Sequence, residues 1–334
     1  ACGMHRVKQR FLIQGPSLHL SSRYVPNMKR TIRAAGNATA TIRTLEPQPG
    51  IFAYYDGRTG ERFASEDPNW LDDGAFTLGV ATYSIVSGTE ALLFDAAITP
   101  EHAKFMLDHV KSLGVTKVTT VYSHFHNDHI AGATELQRSN ATVTSTLIGQ
   151  TKTNTTLIRN TEALARDFPP ITAVLPTQTY DKNLTVQVGN RTVELHNFNV
   201  HTPDGTILFL PQDGVLFAGD TLEDTATFIA DASSLDTHQK ELNRMATLPI
   251  KKILPAHGSP DRIAAGGYER TFIDATLRYI QAVNEPVAQP AAWNKTLREV
   301  VAKDVAEGNL IYFGEYEDVH RSNVQSVQEV RRQG

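Results

Sequence analysis

The stretch Ser123-His124-Phe125-His126-Asn127-Asp128-His129 decides how the rest of this chain is interpreted. Four side chains that can bind a metal ion fall within six residues, directly after the apolar run 118–122. Two histidines at i and i+2 of a turn can point both rings at one ion, and the carboxylate and histidine that follow could face a second ion nearby. The alternative is a polar loop that is rich in histidine by chance. The chain has 12 histidines, which makes one chance pair plausible but not this packed order.

Composition limits the class of protein. The 334 residues are 40% hydrophobic and 20% charged, as in a globular protein with a substantial core. The formal net charge of -4 gives no sign of a basic surface for nucleic acid. No apolar run approaches the roughly 18 residues that a membrane-spanning helix needs. We therefore expect neither nucleic acid nor a membrane as a partner.

Cysteine content and the first residues say less about the compartment. Cys2 is the only cysteine, so an intrachain disulfide is excluded and a metal site cannot use a thiolate cluster. Residues 1–20 lack the basic head and long apolar core of a signal peptide. Secreted, periplasmic and cytoplasmic locations all remain open.

Strands and helices alternate along the chain. Short β-branched or aromatic runs predict strands at 51–55, 81–86, 91–95, 115–122, 184–188, 192–197, 206–210, 215–218 and 250–254. Apolar periodicity predicts helices at 100–113, 148–166, 235–245, 268–283, 295–306 and 319–330, with Thr99 as the N-cap of the first. Two sheets packed face to face and covered by helices would accommodate this order, with loops that bind metal along one edge.

Three more candidate ligands lie at predicted strand ends. His201 precedes a strand, Asp220 lies in Gly-Asp-Thr after a strand, and His257 lies in Pro-Ala-His-Gly after another. Each stands beside Gly or Pro, where a turn can direct a side chain into a cleft. His196 competes with His201, but its position inside a strand pattern favours packing or a supporting role.

The order His-X-His-X-Asp-His, then His, Asp and His, resembles that of the metallo-β-lactamase-fold hydrolases over about residues 50–285. The resemblance implies an α/β (α+β) fold, an αββα sandwich of two mixed β-sheets flanked by helices, with a dinuclear metal site at one edge. We accordingly assign residues 1–48 to an N-terminal extension or arm and 49–285 to the catalytic domain. Residues 286–334 are assigned to a helical tail that packs on that domain.

Matched by position, the resemblance implies two ligand sets that share one carboxylate. The first ion would be bound by His124, His126 and His201, the second by Asp128, His129 and His257, and both by Asp220. Three neutral imidazoles leave an open fourth position on an ion, and two ions that share a water lower its pKa enough to supply hydroxide near neutral pH. Asp128 is the predicted catalytic residue, which would orient that hydroxide and protonate the leaving group. Zinc, two ions per chain, is the expected cofactor, and iron and manganese remain alternatives.

The resemblance leaves several substrates open. Hydrolysis of an ester bond in a small molecule, a lactone or a carboxylic ester, is the first prediction. β-Lactamase activity is disfavoured because Glu223 stands where related β-lactamases have a lysine that binds the substrate carboxylate. Phosphotriesterase or phosphodiesterase activity is a further alternative. Glyoxalase II activity is weakened because Val200, rather than the glycine of Gly-His-Thr, precedes His201.

Two more distant alternatives concern the chemistry itself. A mononuclear-iron sulfur dioxygenase would use fewer than seven ligands, and a non-catalytic binding protein would not need them all. Tyr180 and Tyr268 are candidate donors to the oxyanion, without further support. Whether the protein forms a homo-oligomer stays open.

Overall fold

Two β-sheets lie face to face in the structure, a computed structural model that describes residues 38–138 and 144–333. Among these residues, the first sheet has the order β1 to β7 and the second the order β12-β11-β10-β9-β8. The first consists of β1 (Arg43–Gln48), β2 (Ile51–Asp56), β3 (Val80–Ser87), β4 (Glu90–Phe94), β5 (Lys117–Val121), β6 (Thr144–Gln150) and β7 (Gln178–Tyr180). The second consists of β8 (Asn183–Val188), β9 (Arg191–Asn197), β10 (Thr206–Leu210), β11 (Val215–Gly219) and β12 (Lys252–Pro255). Both sheets are mixed, because β4 to β7 are parallel neighbours in one and β11 and β12 in the other.

Helices flank both sheets. They are α1 (Pro100–Ser112), α2 (Asn127–Ile130), α3 (Ala133–Arg138), α4 (Thr151–Arg166), α5 (Leu235–Met245), α6 (Pro260–Ala264), α7 (Thr271–Val283), α8 (Leu297–Val300), α9 (Ala302–Ala306) and α10 (Tyr316–Gln333). Short non-α turns lie at Trp70–Phe76, Ala232–Ser234 and Ala291–Asn294. No helix in the described ranges is both long and apolar enough to cross a bilayer.

Alternation of side chains along the strands produces the layers. In β4, Leu92 and Phe94 point into the core between the sheets, whereas Leu93 points outward against α1. In β11, Phe217 likewise faces the inner core and Leu216 the outer layer formed by α5, α7 and α10. A strand buried on both faces reads as a continuous apolar run, which is why these segments are apolar throughout. The predicted αββα sandwich is therefore confirmed.

Backbone hydrogen bonds join the two sheets at one edge. Thr206 N–H, from the second sheet, donates to the Ser123 carbonyl at the end of β5 (2.7 Å), and Ala81 N–H in β3 donates to the Ala256 carbonyl after β12 (2.8 Å). Gly219 has a φ of +55°, and a Cβ there would lie 3.0 Å from the Ser123 Cβ, so the close approach of the sheets requires glycine. We call this edge the seam, defined by Ser123, Thr206, Ala81 and Ala256.

Three predicted helices have different bounds. The helix predicted at 148–166 begins at Thr151, because 144–150 form β6 beside β5, as their β-branched composition favours. The helix predicted at 268–283 begins at Thr271, because Tyr268 bridges to Ile253 instead. The helix predicted at 295–306 is broken near Val301 into α8 and α9.

The N-terminal arm was predicted for residues 1–48. Residues 1–37 lie outside the described residues, but 43–48 form β1, the edge strand of the first sheet. None of its residues is buried and half of them are exposed, so it lacks the apolar alternation by which a strand is recognised in sequence. The helical tail 286–334 packs Leu310, Tyr316 and Val327 into the outer layer beside α7.

Candidate metal centre

All seven predicted ligands converge at the seam. The loop after β5, together with the start of α2, carries four of these ligands within six residues, namely His124, His126, Asp128 and His129. His201 lies between β9 and β10, Asp220 follows β11 and His257 follows β12. The carboxyl ends of parallel strands meet at one edge of a sheet, which places residues distant in sequence side by side.

The first group consists of three imidazoles and one carboxylate. His126 Nδ1 lies 2.9 Å from both His124 Nε2 and His201 Nε2. Asp220 Oδ2 lies 3.5 Å from His124 Nε2 and 3.8 Å from His201 Nε2. The four ligand atoms all lie within 4.8 Å of one another, the spacing needed around one ion.

The second group is richer in carboxylate. His257 Nε2 lies 3.1 Å from Asp128 Oδ2 and 3.4 Å from Asp220 Oδ2. His129 Nε2 lies 3.2 Å from the same Asp220 oxygen. Asp220 therefore belongs to both groups, as a bridging ligand would.

The surroundings of the Asp220 carboxylate show whether this group of residues could bind cations. Its carboxylate is 5% exposed, and its Oδ1 is buried without a hydrogen-bond partner among the residues that the structure describes. A buried carboxylate oxygen without a donor costs on the order of 1–3 kcal/mol or more. Because Oδ2 already faces four imidazole nitrogens, a cation is the partner that this donor set accepts. The residues fit bound metal cations.

Acceptors behind the imidazoles fix which nitrogen faces the centre. Nδ1 of His129 lies 2.7 Å from Asp95 Oδ2, that of His201 lies 3.0 Å from the Phe228 carbonyl, and that of His257 lies 2.6 Å from the Gly79 carbonyl. Carbonyl and carboxylate oxygens only accept, so each Nδ1 carries the proton. The Nε2 atoms are left to bind a cation.

The two groups differ in charge. Burial lowers the pKa of His124 well below its ordinary value and lowers that of His126 to about 3, so both rings are neutral. Burial opposes charge on His129 and His257 too, but the Asp220 carboxylate and its neighbours outweigh it and raise the pKa of both rings well above the usual range. A divalent ion bound to the second group would therefore displace protons.

The sequence model of the Metallo-beta-lactamase superfamily matches residues 76–257, more than half of the chain. This span contains all seven converging side chains. The chain belongs to the metallo-beta-lactamase superfamily. Most members of this superfamily are metal-dependent hydrolases.

Solved structures of metallo-beta-lactamases share the fold. One from Pontibacter korlensis is 18% identical, with a TM-score of 0.55, and the match covers 72% of this chain and 99% of that one. The DIM-1 metallo-beta-lactamase exposed to ceftazidime is 17% identical, with a TM-score of 0.52 and coverage of 71% and 96%. TMB-1 is 16% identical, with a TM-score of 0.51 and coverage of 70% and 97%. At these identities the likeness concerns the fold.

Two neighbouring residues have roles that the sequence does not reveal. Asp95 follows β4 with a φ of +75°, and it accepts hydrogen bonds from both His129 and the Ser123 amide. Glu223 was compared in the sequence analysis with a lysine that binds a substrate carboxylate, yet its side chain is 2% exposed and accepts from Phe228 N–H and Tyr316 O–H. Burial, followed by the nearby Asp220 charge, raises its pKa to about 8.

Other candidates lie away from the seven side chains. His196 lies in β9 and contacts Asn183 and Glu194, so His201 is the residue that joins the centre. Tyr180 donates to Thr206 Oγ1 and Tyr268 donates to Asp224, so both hydroxyls already have partners.

Proposed function

We propose that this protein is a dinuclear-zinc hydrolase that cleaves an ester bond, with a lactone or a carboxylic ester as its small-molecule substrate. The observation that carries the proposal is the pair of four-residue donor groups that share Asp220. Two zinc ions bound there would supply Lewis acidity and would lower the pKa of a bound water to near neutrality. His124, His126, His201 and Asp220 would hold one ion. Asp128, His129, His257 and Asp220 would hold the other.

Asp128 is the residue best placed to handle protons. Its side chain is 16% exposed, against 5% for Asp220, so a substrate can reach it. His129 and His257 face its Oδ2 and outweigh burial, which holds the pKa of Asp128 well below its usual range. A carboxylate with so low a pKa is a weak base, so Asp128 would orient the attacking water through a hydrogen bond and pass its proton on to the leaving oxygen without holding it.

The charge around the centre favours an uncharged substrate. Within the described residues, none of the hydrogen bonds or ion pairs of the seven side chains involves a lysine or an arginine. Glu223, at the position where related β-lactamases have lysine, has both carboxylate oxygens engaged inside the protein. A substrate carboxylate would find no cationic side chain among these contacts, unlike the carbonyl of a neutral ester.

The rim of the centre is partly aromatic. Phe125 is half-buried and its ring lies 4.7 Å from that of His126. Phe228 is also half-buried, and the centroid of its ring lies 6.1 Å from that of His201. Aromatic surface beside a polar centre suits an ester with an apolar acyl or alkyl portion.

A substrate panel and metal analysis test the proposal together. The metal content of the protein would be measured by mass spectrometry as purified and again after loading with zinc. The zinc-loaded protein would be assayed with a lactone, a carboxylic ester, a thioester, a β-lactam, a phosphotriester and a phosphodiester. We expect about two zinc ions per chain and a kcat/KM for the lactone or carboxylic ester at least tenfold above the others. Asp128→Asn should lower turnover by roughly 10²-fold or more, because it removes the carboxylate that orients the attacking water.

The contrary outcomes are distinct. A phosphotriester or β-lactam as the best substrate would overturn the ester assignment and leave a hydrolase. One iron per chain would replace it with the dioxygenase chemistry. Absence of bound metal after loading would refute both.

A further inference from the structure

The loop that follows Asp220 is held by the C-terminal tail. Thr225 Oγ1 donates to the Ile311 carbonyl (2.9 Å) and accepts from Phe313 N–H (2.8 Å). Asn323 of α10 accepts from Ile229 N–H through its Oδ1 (2.8 Å). This segment, residues 223–229, thus depends on a part of the chain about ninety residues away for its partners.

Within that segment, hydrogen bonds form a chain from the tail to one proposed ligand. Tyr316 O–H donates to Glu223 Oε2 (3.2 Å), and Glu223 Oε1 accepts from Phe228 N–H (2.9 Å). The carbonyl of Phe228 then accepts from His201 Nδ1–H (3.0 Å). We call this chain of contacts the relay; its members are Tyr316, Glu223, Phe228 and His201.

Burial makes the relay specific. Tyr316 is fully buried, and Glu223 and His201 are 2% and 3% exposed, so water does not replace these partners easily. Glu223 holds the N–H of Phe228, which belongs to the Thr227–Phe228 peptide, and the carbonyl that holds the ring of His201 belongs to the next peptide, Phe228–Ile229. A shift of the backbone at Phe228 would move this carbonyl, rotate the imidazole and move Nε2 away from His126 Nδ1.

We propose that Tyr316 and Glu223 are positioning residues for the first metal site, through which the C-terminal tail sets the orientation of His201. The inference rests on the proposed function, because it takes His201 as a metal ligand. The second group is held by different acceptors, Asp95 and the Gly79 carbonyl. Loss of the relay therefore lowers the affinity of the first site for its ion and leaves the affinity of the second site unchanged.

Tyr316→Phe tests the relay with the loss of a single hydroxyl. Zinc-loaded full-length protein would be mixed with a chromophoric chelator, and the affinity and release rate of each ion measured. We expect one ion to bind up to about 10-fold more weakly, the low end of the loss that follows when the direct partner of a ligating histidine is removed, and the other to be unchanged. The weakened ion should be the one that His201→Ala lacks. The visible spectrum of the cobalt-loaded protein identifies the altered site independently.

Tyr312→Phe is the matched control. Tyr312 belongs to the same tail, but its hydroxyl donates to Glu317 Oε1 (2.8 Å) within that tail. The control should bind both ions as the wild type does. Equal weakening of both ions in Tyr316→Phe, or the same loss in Tyr312→Phe, would show general loosening and overturn the proposal.

Glu223→Gln and Glu223→Ala separate hydrogen bonding from charge. A glutamine can accept from Phe228 N–H and donate to the Tyr316 oxygen, so it should bind the first ion within about threefold of the wild type. Alanine should lose at least as much affinity as Tyr316→Phe. Equal losses in both variants would refute positioning by hydrogen bonds. A wild type that binds no metal would refute the proposed function, whereas two tightly bound ions in Tyr316→Phe would refute only the relay.

Discussion

The two proposed ligand groups share Asp220 but are built differently. The first combines neutral imidazoles, and His201 in it is held through a backbone carbonyl and a tail residue far away in sequence. The second adds the carboxylate of Asp128, and a third carboxylate, Asp95, holds His129. Negative charge attracts a divalent cation to the second group, whereas the first depends more on geometry. The comparison teaches that one centre can combine two sources of affinity.

Removal of the shared ligand should produce the largest effect and abolish the difference between the groups. Asp220→Ala takes away the carboxylate that both groups contain, so we expect loss of one or both ions and a fall in turnover on the order of 10³-fold. Metal content by mass spectrometry and kcat/KM for the best ester check this. Asp181→Ala, an exposed aspartate, is the control. Full rate with two ions retained would show that the bridge is assigned wrongly.

Removal of a ligand that belongs to only one group should show what each group contributes by itself. His201→Ala and His257→Ala should each reduce bound zinc from about two ions to about one, and the cobalt spectra of the two variants should differ because different ions remain. His196→Ala should keep both ions and most of the activity, since that ring contacts Asn183 and Glu194. If His196→Ala were the more damaging variant, the roles of the two histidines would have to be exchanged.

A smaller effect on metal binding should follow when Asp95, the hydrogen-bond acceptor of His129 in the second group, is changed. Asp95→Asn removes the charge that holds His129, so the second ion should bind roughly 10–100-fold more weakly while the first is little changed. Chelator competition measures both.

Asp56→Asn is the matched control, because Asp56 is also a buried aspartate that contacts a histidine, His102 (2.8 Å). The thermal denaturation of Asp95→Asn and Asp56→Asn is compared as well, since both variants disturb a buried pair of side chains. Weakened metal binding in Asp56→Asn would mean that the Asp95 effect reports stability and not ligand orientation.

The centre could be predicted from sequence because its signals are local. Each candidate ligand follows or precedes a strand and stands beside Gly or Pro, and four of them occur within six residues. The layers were predictable for a similar reason. Strands such as β4 and β11 are short apolar runs with residues typical of turns on either side. The structure confirms the fold and brings the predicted side chains together.

What the sequence could not predict depends on contacts between distant residues. Asp95 is one carboxylate after a strand, and nothing nearby distinguishes it from a residue of a turn. Glu223 seemed to face the substrate because its partner Tyr316 lies 93 positions away. The last three residues of β6 were predicted as the start of a helix, because the pairing of this strand with β5 joins residues that are distant in sequence.

The seam has a consequence for the order in which the protein is made. Ser123 and the four ligands after it leave the ribosome well before Thr206, Asp220 and His257, which the second sheet contributes. Until the Thr206 amide meets the Ser123 carbonyl, the nascent chain holds only part of either ligand group. Both proposed ligand groups are complete only when the two sheets have docked, so tight binding of a metal ion to either group would require that docking first.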